Sequence, residues 1–415
     1  MTPADTHHSG SLKAARKAFR ALPAGIWAMG LASMFMDISS ELIHGLLPVY
    51  IVSVLGASMV TIGLIEGVAE ATASITKVFS GALSDFLGKR KPLMILGYGL
   101  AALTKPLFPL ASSIGVVFAA RFIDRVGKGI RGAPRDALVA DIAPPQQRGA
   151  AYGLRQGLDS IGAFIGPLLA IAFMAWFANN IRSAMWTAVL PAFIAVALLV
   201  LFVREPKNRH VVESARKPLA MADARRLPTR FWLVVSLGAV FTLARFSEAF
   251  LVLRVKDVGL PLGLVPLVMI VMNVFYAGLA YPAGAAADRL SPRTLLLAGL
   301  VLLIAADLVF ATAASPLIAL VGAALWGMHM ATTQGLLAKL VADTAPKELY
   351  GTAFGVFNLV SGFALLLASV IAGVLWNAYG ARATFMVGAG FAAAASIGLL
   401  VFRRGGPAAG QDKSV

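Results

Sequence analysis

The chain has 415 residues, of which 59% are hydrophobic and 13% charged, with a mean hydropathy of +0.80 and a net charge of +16. Soluble domains sit near 45 to 50% apolar, so this composition excludes a soluble enzyme and describes a polytopic membrane protein. With no cysteine, disulfides, thiolate metal sites and cysteine nucleophiles are excluded as well.

Residues 1–23 are polar and basic, with no short apolar segment before a small-residue cleavage site, and read as a cytoplasmic tail rather than a signal peptide. Apolar runs then predict twelve helical spans near 24–55, 58–81, 92–111, 113–140, 149–177, 184–203, 231–254, 262–286, 294–314, 316–343, 350–378 and 383–402. Loops after even-numbered spans are basic, with Lys89, Arg90 and Lys91, then Arg148, then eight Lys/Arg from Arg204 to Arg230, then Arg289 and Arg293. Loops after odd-numbered spans are nearly uncharged, which places both termini in the cytoplasm and makes the positive charge a topology signal rather than a nucleic-acid surface. The expected organisation is a tail at 1–23, a six-helix bundle at 24–203, a charged linker at 204–230, a second bundle at 231–402 and a tail at 403–415, in a multi-pass cell membrane protein (the inner membrane in a Gram-negative cell).

Span 1 carries Asp37, Glu41 and His44 in "SMFMDISSELIHG", at spacings that put all three on one helix face. Span 2 adds Glu66 and Glu70 one turn apart, with Lys77 on the same side. In span 4, "ARFIDRVGKGIRGAPRDALVAD", residues Arg121, Asp124, Arg125, Lys128, Arg131, Arg135 and Asp136 fall within roughly 140° of arc. A charge at the bilayer centre costs at least about 2.5 to 3.5 kcal/mol, so that face is expected to meet a cavity or partner acids rather than lipid. Lys105, Arg155 and Asp159 complete a nearly neutral set in this half. In the second half the main intramembrane charges are Arg245 and Glu248, with Asn273, Tyr276, Met328, His329, Met330 and Asn358 as further cavity candidates.

The halves repeat. "LVADIAP" at 138–144 returns as "LVADTAP" at 340–346, "GAAYG" at 149 as "GTAFG" at 351, and "GALSDFLGKRK" from Gly81 as "GAAADRLSPRT" from Gly284. Duplicated six-helix halves describe a transporter with its site near the midplane. "GALSDFLGKRK" also resembles the signature loop between helices 2 and 3 of the major facilitator superfamily, G-x-L-[AS]-D-[RK]-x-G-[RK]-[RK], and the resemblance extends over essentially the whole chain. Phe86 stands where the family usually has a base, and Ser291 and Pro292 replace the glycine and first base of the second copy. The resemblance implies an all-α fold of twelve transmembrane helices and a cytoplasmic gate at Gly81, Asp85, Gly88 and Arg90, echoed at Gly284, Asp288 and Arg293. "RVGKG" from Arg125 resembles the helix 4 motif R-x-x-x-G, whose Arg is linked to proton coupling. "GAFIGP", with Gly162, Gly166 and Pro167, resembles the helix 5 motif of drug and proton antiporters, although the Gly pair that continues it is absent.

Three readings of the span 1 acids stay open: proton coupling, a structural ion pair with span 4, or a divalent metal site of Asp37, Glu41 and His44. The expected function is a proton-coupled secondary transporter of a small anionic or polar solute, acting as an exporter by antiport, with symport the other mode. It needs no cofactor, uses the proton gradient, works as a monomer in the bilayer and is not an enzyme. Asp37 and Glu41 would carry the proton, and Arg125 would alternate between them and the solute, with Arg121, Lys128, Glu66, Glu70, His44, Arg245 and Glu248 lining the binding site. The competitors are a transition-metal or metal-chelate transporter and a non-transporting receptor or assembly factor on the same scaffold.

Overall fold

The computed structural model describes residues 22–205, 221–333, 335–346 and 349–401, without the side chains of 221–223 and 287–289. Among the described residues there are sixteen α-helices and no strand. The N-terminal half contains α1 (Ala24–Ser53), α2 (Met59–Leu87), α3 (Lys91–Thr104), α4 (Leu107–Leu110), α5 (Ile114–Ile142), α6 (Arg148–Trp176), α7 (Ile181–Trp186) and α8 (Val189–Phe202). The C-terminal half contains α9 (Thr229–Leu243), α10 (Ala249–Asp257), α11 (Leu267–Arg289), α12 (Pro292–Thr312), α13 (Pro316–Thr333), α14 (Leu336–Thr344), α15 (Tyr350–Tyr379) and α16 (Ala381–Val401).

Ten helical runs among the described residues are long and apolar enough to cross a membrane, counting α3 with α4, α7 with α8, and α13 with α14 as single runs. Ile114–Ile142 has the length, with 29 residues, but carries the charged face read from the sequence. Thr229–Leu243 is only 15 residues long because the helix predicted over 231–254 breaks at 244–248. The break survives because side chains meet its backbone: the Ser247 N–H donates to Ser369 Oγ (3.2 Å), and the Ala249 N–H donates to Ser247 Oγ (3.2 Å). Irregular backbone at membrane depth is tolerated where it lies inside protein or borders a cavity, and this break borders one.

Within the N-terminal half α1 packs on α6 and α8, while α5 packs on α2 and α3; in the C-terminal half α13 packs on α11 and α12, and α12 on α16. The halves meet along α2 with α15, α6 with α11, and α1 with α10. Their cross-contacts run from mid-height to one end of the molecule. Lys256 donates to Ser53, Asn273 Nδ2 donates to the Ala163 carbonyl (3.0 Å), and Gly45 lies against Pro266. At the other end, which carries Arg90 and Arg148, the bonds seen among the described residues stay within a half, such as Arg148 to the Ala140 carbonyl (3.2 Å) and Arg293 to the Leu400 carbonyl (2.5 Å). The structure is therefore closed at the end of the uncharged loops.

Candidate functional site

A cavity of about 470 Å³ lies between the halves, within the range of small-molecule sites. One wall is charged: Glu41 and His44 from α1, Glu70 from α2, Arg125 and Lys128 from α5. The other places Arg245 and Glu248, from the α9–α10 break, among Phe241, Phe246, Trp326 and three methionines. The repeat thus carries its chemistry asymmetrically, an ionic wall facing an aromatic one.

Behind the charged wall run two ionic chains. In the first, Glu66 is 1% exposed and accepts a two-pronged pair from Arg121, Nε to Oε1 at 3.1 Å and Nη2 to Oε2 at 2.6 Å. His44 stands between acids, its Nε2 3.6 Å from Glu66 Oε2 and its Nδ1 3.8 Å from Glu41 Oε2. Ser247 of the C-terminal half donates to Glu66 Oε2 (3.4 Å), so this chain crosses between halves. In the second, Glu70 meets Arg125 (3.3 Å), Arg125 reaches Asp124 (3.7 Å), and Asp124 accepts from the buried Lys105 (2.8 Å), which also donates to Ser40 (3.1 Å). Buried charges persist only when paired in this way.

Asp37 stands apart from both chains. It does not line the cavity and has no hydrogen bond or ion pair among the described residues. Its neighbourhood is a third layer, in which Arg135 contacts Ser33 (2.5 Å), Asp136 (3.3 Å) and Asp159 (3.8 Å), and Arg155 pairs with Asp159 (2.8 Å). Arg131 stacks on Tyr98, 4.6 Å from the ring centroid. The expected meeting of Arg125 with Asp37 is thus not made in this arrangement, and Arg125 makes no ion pair with Glu41 among the described residues either. Lys128, exposed to the cavity, and Arg245 have no ion pair among the described residues, and neither does Glu248. Among the described residues no three His, Asp or Glu side chains converge to hold a metal ion.

The helix 5 motif acts on the site through packing. A Cβ on Gly162 would fall 2.6 Å from the Met34 carbonyl and 3.0 Å from Asp37 Cβ, and one on Gly166 would fall 2.8 Å from Glu41 Cβ and 2.8 Å from the Ile38 carbonyl. Both glycines let α6 touch α1 at its acids, the close approach that small residues permit in membranes. Gly166→Val is expected to push α1 aside and cost about 1 to 3 kcal/mol. Thermal unfolding in detergent checks this, with Gly157→Val as the control because a Cβ at Gly157 meets nothing within 4 Å.

At the rim, Gly88 ends α2 with φ of 65°, a left-handed turn glycine adopts freely. That turn brings Arg90 against Asp85 (3.3 Å) and Asp141 (2.8 Å), and its backbone N–H donates to Glu205 beyond α8. Arg90→Ala is expected to free the 87–91 turn and raise its rate of amide exchange at least tenfold, as read by hydrogen–deuterium exchange. Gly81 lies beside Ala133, and Arg293 caps the Leu400 carbonyl; a Cβ on Gly284 would meet nothing within 4 Å, and the Asp288 side chain lies outside the described residues. Asn273 and Met330 line the cavity as expected, whereas His329 is fully buried behind it. Ser247, Trp326 and Phe246, which line the cavity, and Ser369, buried behind the helix break, escaped the sequence reading, because nothing local marks an uncharged residue for such a place. Asp307 also escaped it, although a lone acid in "LLIAADLVFAT" is a visible signal.

The family model of the Major Facilitator Superfamily matches residues 29–271 and 237–415. An uncharacterized MFS-type transporter of Methanocaldococcus jannaschii is 31% identical over 365 residues, covering 86% of this chain and 90% of that protein. The class H tetracycline resistance protein of Pasteurella multocida is 24% identical over 314 residues, 70% of this chain and 74% of its own. Among solved structures, a bacterial homolog of the human lysosomal transporter Spinster, inward-facing and unoccupied, shares the fold with a TM-score of 0.73 at 14% identity, over 91% of this chain and 95% of its own. With family matches reaching both halves and a relative of this similarity along most of its length, the chain belongs to the major facilitator superfamily, whose members are multi-pass membrane transporters and not enzymes.

Proposed function

We propose that the protein is a proton-coupled transporter that exports a small solute bearing an anionic group, by alternating access between two six-helix bundles. The observation that carries this reading is the placement of two bases that close no ion pair among the described residues, Lys128 and Arg245, on opposite walls of one cavity. An anionic group held by both would draw the halves together, and Glu248 beside Arg245 offers a place for a donor or cationic group on the same solute. Pairing α9 with α10, and counting α5 by its length, supports twelve spans, and the basic loops support cytoplasmic termini. On that orientation the closed end faces outward and the cavity opens to the cytoplasm, the state in which an exporter loads. Relatives named for tetracycline and multidrug resistance support the outward direction. The proton gradient drives the cycle of a single chain without a cofactor, and Glu41, His44 and Glu66 form the path that links cavity, proton and opposite half.

The test uses proteoliposomes with an imposed pH gradient and a panel of fluorescent carboxylate and sulfonate dyes. Gradient-dependent dye movement is expected for the wild type. Lys128→Ala and Arg245→Ala are each expected to weaken dye binding about tenfold or more, the loss of one hydrogen bond to a charged group. Unchanged affinity in the double variant overturns the anion reading.

A further inference from the structure

We propose that Asp307 is a second proton-binding site, seated in the C-terminal half behind the aromatic wall of the cavity. Asp307 stands in the outer part of α12, is 0% exposed, and neither carboxylate oxygen has a hydrogen-bond partner among the described residues. Among the described residues the packed elements bring it no paired counter-charge. On α13 His329 holds its Nδ1 against the Gly299 carbonyl (2.8 Å) and leaves Nε2 unpartnered among the described residues. On α10 Arg254 is committed to the carbonyls of Phe310 and Ala313 (2.9 Å each) and to Asp257 (2.5 Å). Arg245 at the break faces the cavity, α16 presents Gly388 and Phe385, and neither Tyr276 of α11 nor Lys339 and Asp343 of α14 bonds to the acid. An ionised carboxylate in such a place is strongly disfavoured, whereas the neutral acid loses far less on leaving water. The closed wall therefore favours proton occupancy: one proton on one oxygen, with no other bond made or broken.

The wall itself is built to move with the solute. Phe246 lines the cavity, packs on Trp326 with ring centroids 5.7 Å apart, and sits in the same helix break as Arg245 and Glu248. A point 2.9 Å from its ring, at the Cβ position of Gly388, is also 2.8 Å from Asp307 Oδ2, so ring and acid share one space. The Trp326 Nε1 is buried and also unpartnered among the described residues, a donor held close to this wall. Solute seated on Arg245 shifts the break, and shifting the break changes the cover over Asp307. The proton site stands whether or not the solute is an anion, and only its link to cargo rests on the transport reading.

Infrared difference spectroscopy of the full chain in lipid nanodiscs tests the site without any solute. The wild type at neutral pH is expected to show the carbonyl stretch of a protonated carboxylic acid that is lost in Asp307→Asn and retained in Glu41→Gln. Phe246→Ala keeps the acid and opens its cover, so deuterium exchange of that band is expected to speed at least tenfold. In dye-loaded proteoliposomes Asp307→Asn is expected to keep dye binding and lose the pH dependence of efflux, with Asp307→Glu restoring it. A spectrum unchanged by Asp307→Asn overturns the proton site, unchanged exchange in Phe246→Ala overturns the wall, and a wild-type pH profile in Asp307→Asn overturns the coupling. Dye movement absent from every protein, with the band present, overturns the cargo assignment and leaves this site standing.

Discussion

Arg121→Met is expected to destabilise the protein by about 3 to 5 kcal/mol, the cost of breaking a buried ion pair from one side. Glu66 is 1% exposed and Arg121 is 2% exposed, so neither charge falls back on water when its partner is lost. The pair is also two-pronged, which a lysine cannot reproduce, and Arg121→Lys is expected to recover only part of the loss. Removing both charges tells a different story: Glu66→Gln with Arg121→Met leaves a buried amide beside an apolar chain and is expected to restore most of the stability. The Arg121→Met deficit is expected to shrink as pH falls, because a proton on Glu66 or on His44, 3.6 Å away, removes or balances the stranded charge. Chemical or thermal unfolding of the purified variants between neutral and acid pH reads all of this. A single variant as stable as the wild type would show that the pair is solvated, contrary to its burial.

Much of the site was legible from periodicity. The charged arc of α5 is the face that meets partners, because apolar positions on the opposite side leave it nowhere else to go, and "GAFIGP" does bring α6 onto the acids of α1. What periodicity could not supply was which acid each base would take. A helical wheel orders residues around one axis and says nothing of which neighbour lies against them. The body of α5 packs on α2 and α3 and only lightly on α1, so Arg121 and Arg125 meet Glu66 and Glu70 before they meet Asp37 or Glu41. The break at 244–248 was hidden for a similar reason, since its support comes from Ser369 on a helix more than a hundred residues later. Six-plus-six duplication was visible in gate loops because those turns demand particular residues, whereas the cavity walls have diverged into an ionic and a largely aromatic surface.

Glu41→Gln is expected to abolish the response of transport to a pH gradient, lowering gradient-driven dye efflux at least tenfold while dye binding persists. Glu41 is the α1 acid that lines the cavity, and its side chain is 25% exposed, open enough to exchange a proton with water in the cavity. Through His44 it is tied to Glu66, and through Glu66 to Ser247 across the interface between halves, so its charge is felt by the contact that rocking must break. Asp37 lies one turn away in the layer of Arg135 and Asp159, without a place in the cavity. Asp37→Asn is therefore expected to leave a clear pH response, weakened by the altered packing against Gly162 rather than abolished. His44→Gln separates a relay from a mere spacer: the amide fills the place between the acids and can still donate from its NH2, but cannot carry a proton, so gradient-driven efflux is expected to fall as in Glu41→Gln while stability holds. Full pH dependence in Glu41→Gln together with its loss in Asp37→Asn would move the proton to the third layer and make the cavity chain an ion pair of closure alone.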